Sequence, residues 1–463
     1  MRTLSPRTRG VERWGAALAG VVALLAASPA CVHQGSGLAG TDGGKVVPGE
    51  SFTLTEQAEV VAVLTAACAG CAWGEKGREA AVLALRVDGR YAQDVPLVQG
   101  RGPAVYRVQL GTLDAGQHTL DAHVDPASAS GARGVTADVA FERVPHGSPE
   151  HIALAHAPIL HQRANAVGRF TDVPLLMYYE VEPLPAGRRL RYTVIFSNED
   201  GGTPPDRLMA TWGRVTDIEL VYAVDLDAAG AIVRDVFQGP DHEMVPFSGR
   251  REGRHPLLWV VTDNNMVSDR GRTWRRHRPA PQRFDLTGVS RETVMDAHPW
   301  TYRVMSEEVR REGRVGEGAR PGSERIPDPR RFAFVEACGE VHDAQVAFDV
   351  AVREGGRPAW VASDAANPRF RVARSGCFRA AVALPREAPS AAVEAIRWRA
   401  HTRPPGKGEA ALPPGAGWAR LTRVNRLFRL GDDYTPGPDL MRWTGEARLS
   451  GEGSPLELTL GAR

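Results

Sequence analysis

The stretch DIELVYAVDLD (Asp217–Asp227) sets the fold class. Ile218, Leu220, Tyr222, Val224 and Leu226 alternate with Glu219, Asp225 and other residues at the period of a half-buried strand. Unbroken alternation puts the five apolar side chains on one face and Asp217 and Glu219 on the other, about 7 Å apart. Two carboxylates on one face with no Lys or Arg between them require a counter-charge. A divalent cation would supply it, and so would Arg207, Arg214 or Arg250.

Strand-like segments of the same kind fill the neighbouring sequence. LLMYYEVE, RYTVIFSNED, LLWVVTDNN, RFAFVEAC, QVAFDVAV, PAWVASD and CFRAAVAL are separated by Gly, Pro and Asp turns. Helical signal is sparse, and its best instance runs from about Trp300 to Arg311, preceded by Ser290 and Asp296 and stopped by Gly313. Many short strands with few helices argue for an all-β, mainly antiparallel architecture and against a parallel α/β fold. Residues 150–463 therefore read as one larger β-sandwich-like domain, with long surface loops at Gly313 to Arg330 and Pro404 to Gly417.

Upstream, residues 51–145 alternate as a small β-sandwich. Tyr106, Val108 and Leu110 fall on one face, and Leu120, Ala122 and Val124 repeat the pattern after the turn at Asp114 to Gly116. The phrase VDG followed by LDAGQHTLDAHVD resembles jelly-roll or galactose-binding-like modules attached to secreted bacterial enzymes, which implies sugar binding or a spacer role. VPHGSPEH (residues 144–151) has the Pro, Gly and Ser content of a boundary.

The first thirty residues read as a signal peptide. Arg2, Arg7, Arg9 and Arg13 precede a small-apolar run from Trp14 to Ala27, which is too short to span a bilayer as a permanent helix. LAASPAC resembles the lipobox of bacterial lipoproteins, with Ser28 where that family carries Leu. The resemblance implies lipidation of Cys31 and attachment to the outer membrane or another periplasm-facing surface. Ordinary cleavage after Ala30 would instead give a secreted protein. Residues 31–50, rich in Gly, Ser and Asp, read as a flexible tether.

The 463-residue chain has a formal charge of +2, so no global field argues for nucleic acid. Beyond Cys31, four cysteines form two natural pairs, Cys68 with Cys71 and Cys338 with Cys377. The second closes a loop of about forty residues and would contribute roughly 3–4 kcal/mol. No GxSxG elbow, HExxH, P-loop or dinucleotide fingerprint occurs, which lowers acyl-transfer hydrolases, zincins, NTPases and nicotinamide enzymes as function classes.

Three acidic clusters remain at strand ends: Glu199 and Asp200; Asp217 and Glu219 with Asp241, His242 and Glu243; and Asp263, Asn264, Asn265 and Asp269. Carboxylates and amides suit a hard cation such as calcium, and a histidine shifts the preference toward manganese or zinc. Asp217, Glu219, Asp241, His242 and Asp263 are the candidate metal ligands. The order of a strand, GRVTDIELVYAVDLD, GPDHE and a strand beginning HPLLWV resembles a vacuolar-protein-sorting-associated family and the necrosis-inducing proteins. Those families place Asp-Trp-Glu at the start of a central strand, and the latter hold a divalent metal there. Asp217-Ile218-Glu219 takes that position here, with Ile for Trp, and Gly213-Arg214-Val215-Thr216 stands where the family has histidines. The longer phrases also resemble exported bacterial lipoproteins. The reading is an exported envelope protein that binds a carbohydrate or another envelope component. A divalent-metal-dependent hydrolase of a glycan or phosphoester, and a structural or assembly protein, are the alternatives.

Overall fold

A computed structural model describes residues 44–460, apart from 128, 131–132, 164–165, 167–168, 200, 317–323, 355–356 and 386–392. The signal segment, Cys31 and Asp200 lie outside the described residues. The fold is all-β and mainly antiparallel, built of paired sheets with few helices. The tether expected over 31–50 gives way to structure at its end. Lys45–Leu54 is a strand, because Val46 and Val47 bury their side chains in the first core.

In the first sandwich, strands Lys45–Leu54, Gly116–Val124, Val82–Val87 and Arg90–Pro96 form one sheet, in that order. Ala104–Leu113, Ala58–Cys68 and Val135–Val144 form the other. Leu64, Leu83, Leu85, Leu120 and Ala122 lie fully buried between them. Cys68 and Cys71 are disulfide-bonded at the end of the Ala58–Cys68 strand.

Residues 150–463 carry two further pairs of packed sheets. The central one pairs a six-stranded sheet, in the order Met244–Pro246, Ile232–Gln238, Asp217–Asp227, Gly187–Phe196, Pro174–Leu184 and Gln282–Arg283, with a smaller sheet built on His255–Val260 and Ile159–His161. The last one sets Phe332–His342 and its neighbours against Ala344–Glu354 and its neighbours, around Phe348 and Trp398. Cys338 and Cys377 are direct register partners across two of these strands and are disulfide-bonded.

The expected helix is present as Trp300–Arg311, and its buried face carries Tyr302, Val304, Met305 and Val309. It joins all three sandwiches. Glu308 accepts the Trp73 indole N–H at 2.6 Å, and Tyr302 faces the buried Arg379 of the last sandwich. Helices Pro149–Ala155, Pro205–Trp212 and Thr293–Ala297 went unread in the sequence, since five to eight residues give too few turns for a periodic signal. Among the described residues, no helix is long and apolar enough to cross a membrane.

Candidate functional site

One β-bulge re-aims the Asp217–Asp227 strand. Tyr192 pairs with Tyr222 but Thr193 pairs with Leu220, so Val221 is an extra residue. The alternation expected from the sequence therefore breaks in mid-strand. Tyr222, Val224 and Leu226 pack into the central core, while Ile218 turns to the opposite face and packs with Ile195 and Leu176. Asp217 and Glu219 are register partners of Phe196 and Val194, which lie in the central core. The two carboxylates thus point into the end of the sandwich and not outward.

Asp217 is fully buried, and its Oδ2 accepts a hydrogen bond from Asn265 Nδ2 at 3.0 Å. Burial raises its carboxyl above the ordinary range, against the pull of the nearby Arg214. Glu219 is pushed up to about 8 by burial and by the charge of Asp217. The two carboxyls hydrogen-bond each other, which requires one of them to hold a proton. Glu199, bonded to Thr203 N at 3.1 Å, is pushed up to about 7 by burial and then by Asp217.

Two of the three Arg neutralisers weighed from the sequence have partners elsewhere, and Arg207 Nε is buried without a hydrogen-bond partner among the described residues. Arg214 Nε binds Glu292 at 3.1 Å, and Arg250 sits over the Trp259 ring at 5.9 Å. Arg291, overlooked in the sequence, donates to the Ile218 carbonyl at 2.6 Å. Among the described residues, Glu199, Asp217 and Glu219 form no ion pair.

The loops close over this pair. Gln238 Nε2 reaches Glu219 Oε2 at 3.3 Å and His242 Nδ1 at 3.0 Å, and Asn264 Nδ2 lies 3.3 Å from His242 Nε2. Asn265 adopts a left-handed backbone (φ 57°) and is 0% exposed. Its amide N–H groups bind Asp217 and the Asn198 carbonyl, and its Oδ1 has no hydrogen-bond partner among the described residues.

The five candidate ligands divide. Asp217, Glu219 and His242 stand in one connected cluster. Asp263 does not join them: its side chain is 62% exposed and pairs with Arg163. Asp241 sits exposed on the outer turn, as does Glu243. Asp269 is structural, holding Ser248 N and Oγ at 2.9 and 3.0 Å. Gln238 was overlooked, and the strand-end phrase FQGPDHE was the signal that could have found it. As the side chains stand, no group of three or more His, Cys, Asp and Glu among the described residues is disposed to hold a metal ion.

No protein-family model and no curated protein matches the chain. A solved structure described as "NLPPya in complex with mannosamine" is similar to 30% of this chain and 75% of its own, at 10% identity and a TM-score of 0.23. A likeness at that level carries no argument, and the necrosis-inducing resemblance stands on the sequence phrases alone.

Proposed function

We propose that this protein is a divalent-cation-dependent binding protein of the cell envelope. Asp217, Glu219 and Asn265 form the core of the cation site, with Glu199 and His242 at its rim. The observation that carries this reading is that a buried Asp217 and the half-buried Glu219 and Glu199 pair with no Arg or Lys among the described residues. A cation replaces the proton shared by Asp217 and Glu219 and takes up the Asn265 oxygen. The oxygen-rich set favours calcium or manganese over zinc.

The ligand is a carbohydrate or another polar envelope component. A cleft of about 1020 Å³ supports this, as it shares the turn that carries Asn264 and Asn265 and is lined by Lys76, Glu79, Asp263, Arg311, Glu312 and Arg314. We propose further that the chain is exported and anchored through a lipid on Cys31. Two disulfides support export, since such bonds persist in oxidising compartments.

Thermal melting in the presence of Ca²⁺, Mn²⁺ or Zn²⁺, against EDTA, tests the cation site. A cation at about 100 times its Kd stabilises the fold by ~2.7 kcal/mol. Asp217→Asn and Glu219→Gln should erase that response. An unmoved melting temperature with all three metals, or an equal response in the variants, refutes the reading. Glycan-array binding with and without EDTA then tests the ligand class.

A further inference from the structure

Trp274 is 61% exposed, yet its ring is held in place. The Arg275 guanidinium lies over the ring at 4.6 Å from its centroid, and is itself buried and gripped by Asp94 at 2.9 Å and Asp125 at 2.6 Å. Tyr91 of the Arg90–Pro96 strand meets the indole edge-to-face, with centroids 5.1 Å apart, and its Oη accepts the Arg276 N–H at 3.2 Å. A single exposed apolar side chain needs no explanation by itself. The charge around this one is what distinguishes it.

Arg272 precedes the indole by two residues, Arg90 precedes Tyr91, and Arg86 is the register partner of Tyr91 in the adjacent strand. All three are exposed and form no ion pair among the described residues. The acids beside them are already paired: Asp94 and Asp125 with Arg275, Glu252 with Arg276 and Arg278, and Asp121 with Lys45. Strand register places this basic, aromatic patch relative to the N-terminus. Tyr91, Arg86, Asp121 and Pro48 occupy one row across the four-stranded sheet of the first sandwich. Three strand spacings, about 14 Å, therefore separate Tyr91 from the strand that begins at Lys45. The chain from Cys31 to Gly44 reaches about 45 Å at most, so a lipid on Cys31 leaves this face within reach of the bilayer.

We infer that Trp274 and the arginines around it form a second membrane contact, which docks the protein on a bilayer surface carrying anionic phospholipid headgroups. The indole seats at the headgroup level, where an amphipathic ring has its preferred place, and Arg86, Arg90 and Arg272 meet the phosphates. The reach from Cys31 favours a bilayer over an anionic glycan, and in this the inference rests on the lipid-anchor reading. Three arginines and one indole hold more weakly than a lipid, so the contact orients the anchored protein and does not replace the anchor.

Fluorescence quenching by brominated phospholipid tests it on the full chain, in vesicles of phosphatidylcholine with and without about one-third phosphatidylglycerol. With lipid in excess, the anionic vesicles should quench part of the wild-type tryptophan emission. Trp274→Phe should abolish that part and leave the melting temperature near wild type. Arg86→Ser, Arg90→Ser and Arg272→Ser should each weaken vesicle binding about fivefold, the effect of one basic residue near an anionic surface, and raised salt should weaken it further. Quenching of Trp274 that persists in Cys31→Ser upholds the contact, whether or not co-sedimentation shows an anchor. Sedimentation lost in Cys31→Ser, with no quenching assignable to Trp274, leaves the anchor standing and removes the contact. The inference is also overturned if phosphatidylcholine alone quenches equally well, if the three Arg variants bind as the wild type does, or if soluble polygalacturonate shields Trp274 from acrylamide where vesicles do not.

Discussion

Replacing Arg379 by Met should cost about 3–5 kcal/mol, the loss expected when one partner of a buried ion pair is removed. Arg379 is 0% exposed and grips Asp296 with two hydrogen bonds at 2.8 and 2.6 Å. It also pairs with Glu336 and donates to Tyr302 Oη and the Glu292 carbonyl, so it ties the Thr293–Ala297 and Trp300–Arg311 helices to the last sandwich. The side chain passes over the Phe428 ring at 5.3 Å, and Met preserves that apolar contact, so the cavity contribution is small. The two carboxylates left behind differ. Asp296 keeps Arg426 at 2.9 Å, whereas Glu336 keeps only uncharged donors, Ser290 Oγ at 2.8 Å and Asn425 Nδ2 at 2.8 Å among them. Glu336 is therefore the orphaned charge. Adding Glu336→Gln to Arg379→Met should recover roughly half of the loss, because the carboxylate is most of what the single variant leaves unpaired. Urea unfolding at pH 7.5, followed by tryptophan fluorescence, measures both variants. A loss below about 1 kcal/mol for the single variant, or a double variant no more stable than it, would refute the argument.

Three further outcomes are expected. His156 is buried with neither ring nitrogen partnered among the described residues, and burial, then Arg254 and Arg251, lowers it to about 4. A depressed folded-state pKa gives stability that is complete above pH ~6.5 and is lost as pH falls toward 4. His156→Leu should therefore flatten the stability profile by about 2 kcal/mol between pH 6.5 and 5, and an unchanged slope in urea titrations at those pH values counts against it. Reducing the Cys338–Cys377 bond by Cys338→Ser with Cys377→Ser should cost roughly 3–4 kcal/mol for its separation of 39 residues, measured by the same unfolding assay. Cys31→Ser should move the protein from the membrane to the soluble fraction on fractionation, and continued sedimentation with membranes would remove the lipid anchor from the proposal.

Much of the architecture was legible because strand formation leaves a period-two trace in the side chains. Tyr106, Val108 and Leu110, with Leu120, Ala122 and Val124, enter the first core as their alternation demands. Trp300–Arg311 was legible because twelve residues hold three helical turns. The site was only half legible. Its carboxylates were found from composition, but unbroken alternation assigned them to the wrong face, and Asp263 was included because it follows a strand in the same way as Asp217 precedes one.

Local sequence thus determined the strands, the one long helix, the Cys68–Cys71 pair and the residue types of the acidic clusters, all of which depend on neighbours along the chain. The tertiary structure decided where those residues point. A bulge at Val221 exists only through the register between two strands, and it turns Asp217 and Glu219 inward. The left-handed Asn265 is held by Asn198 and Asp217, which lie 67 and 48 positions away in the chain. The contact between the first two sandwiches likewise arises from main-chain pairing of residues near 108 with residues near 279. Such long-range pairings are set by the packing of whole sheets, so no window of sequence carries them.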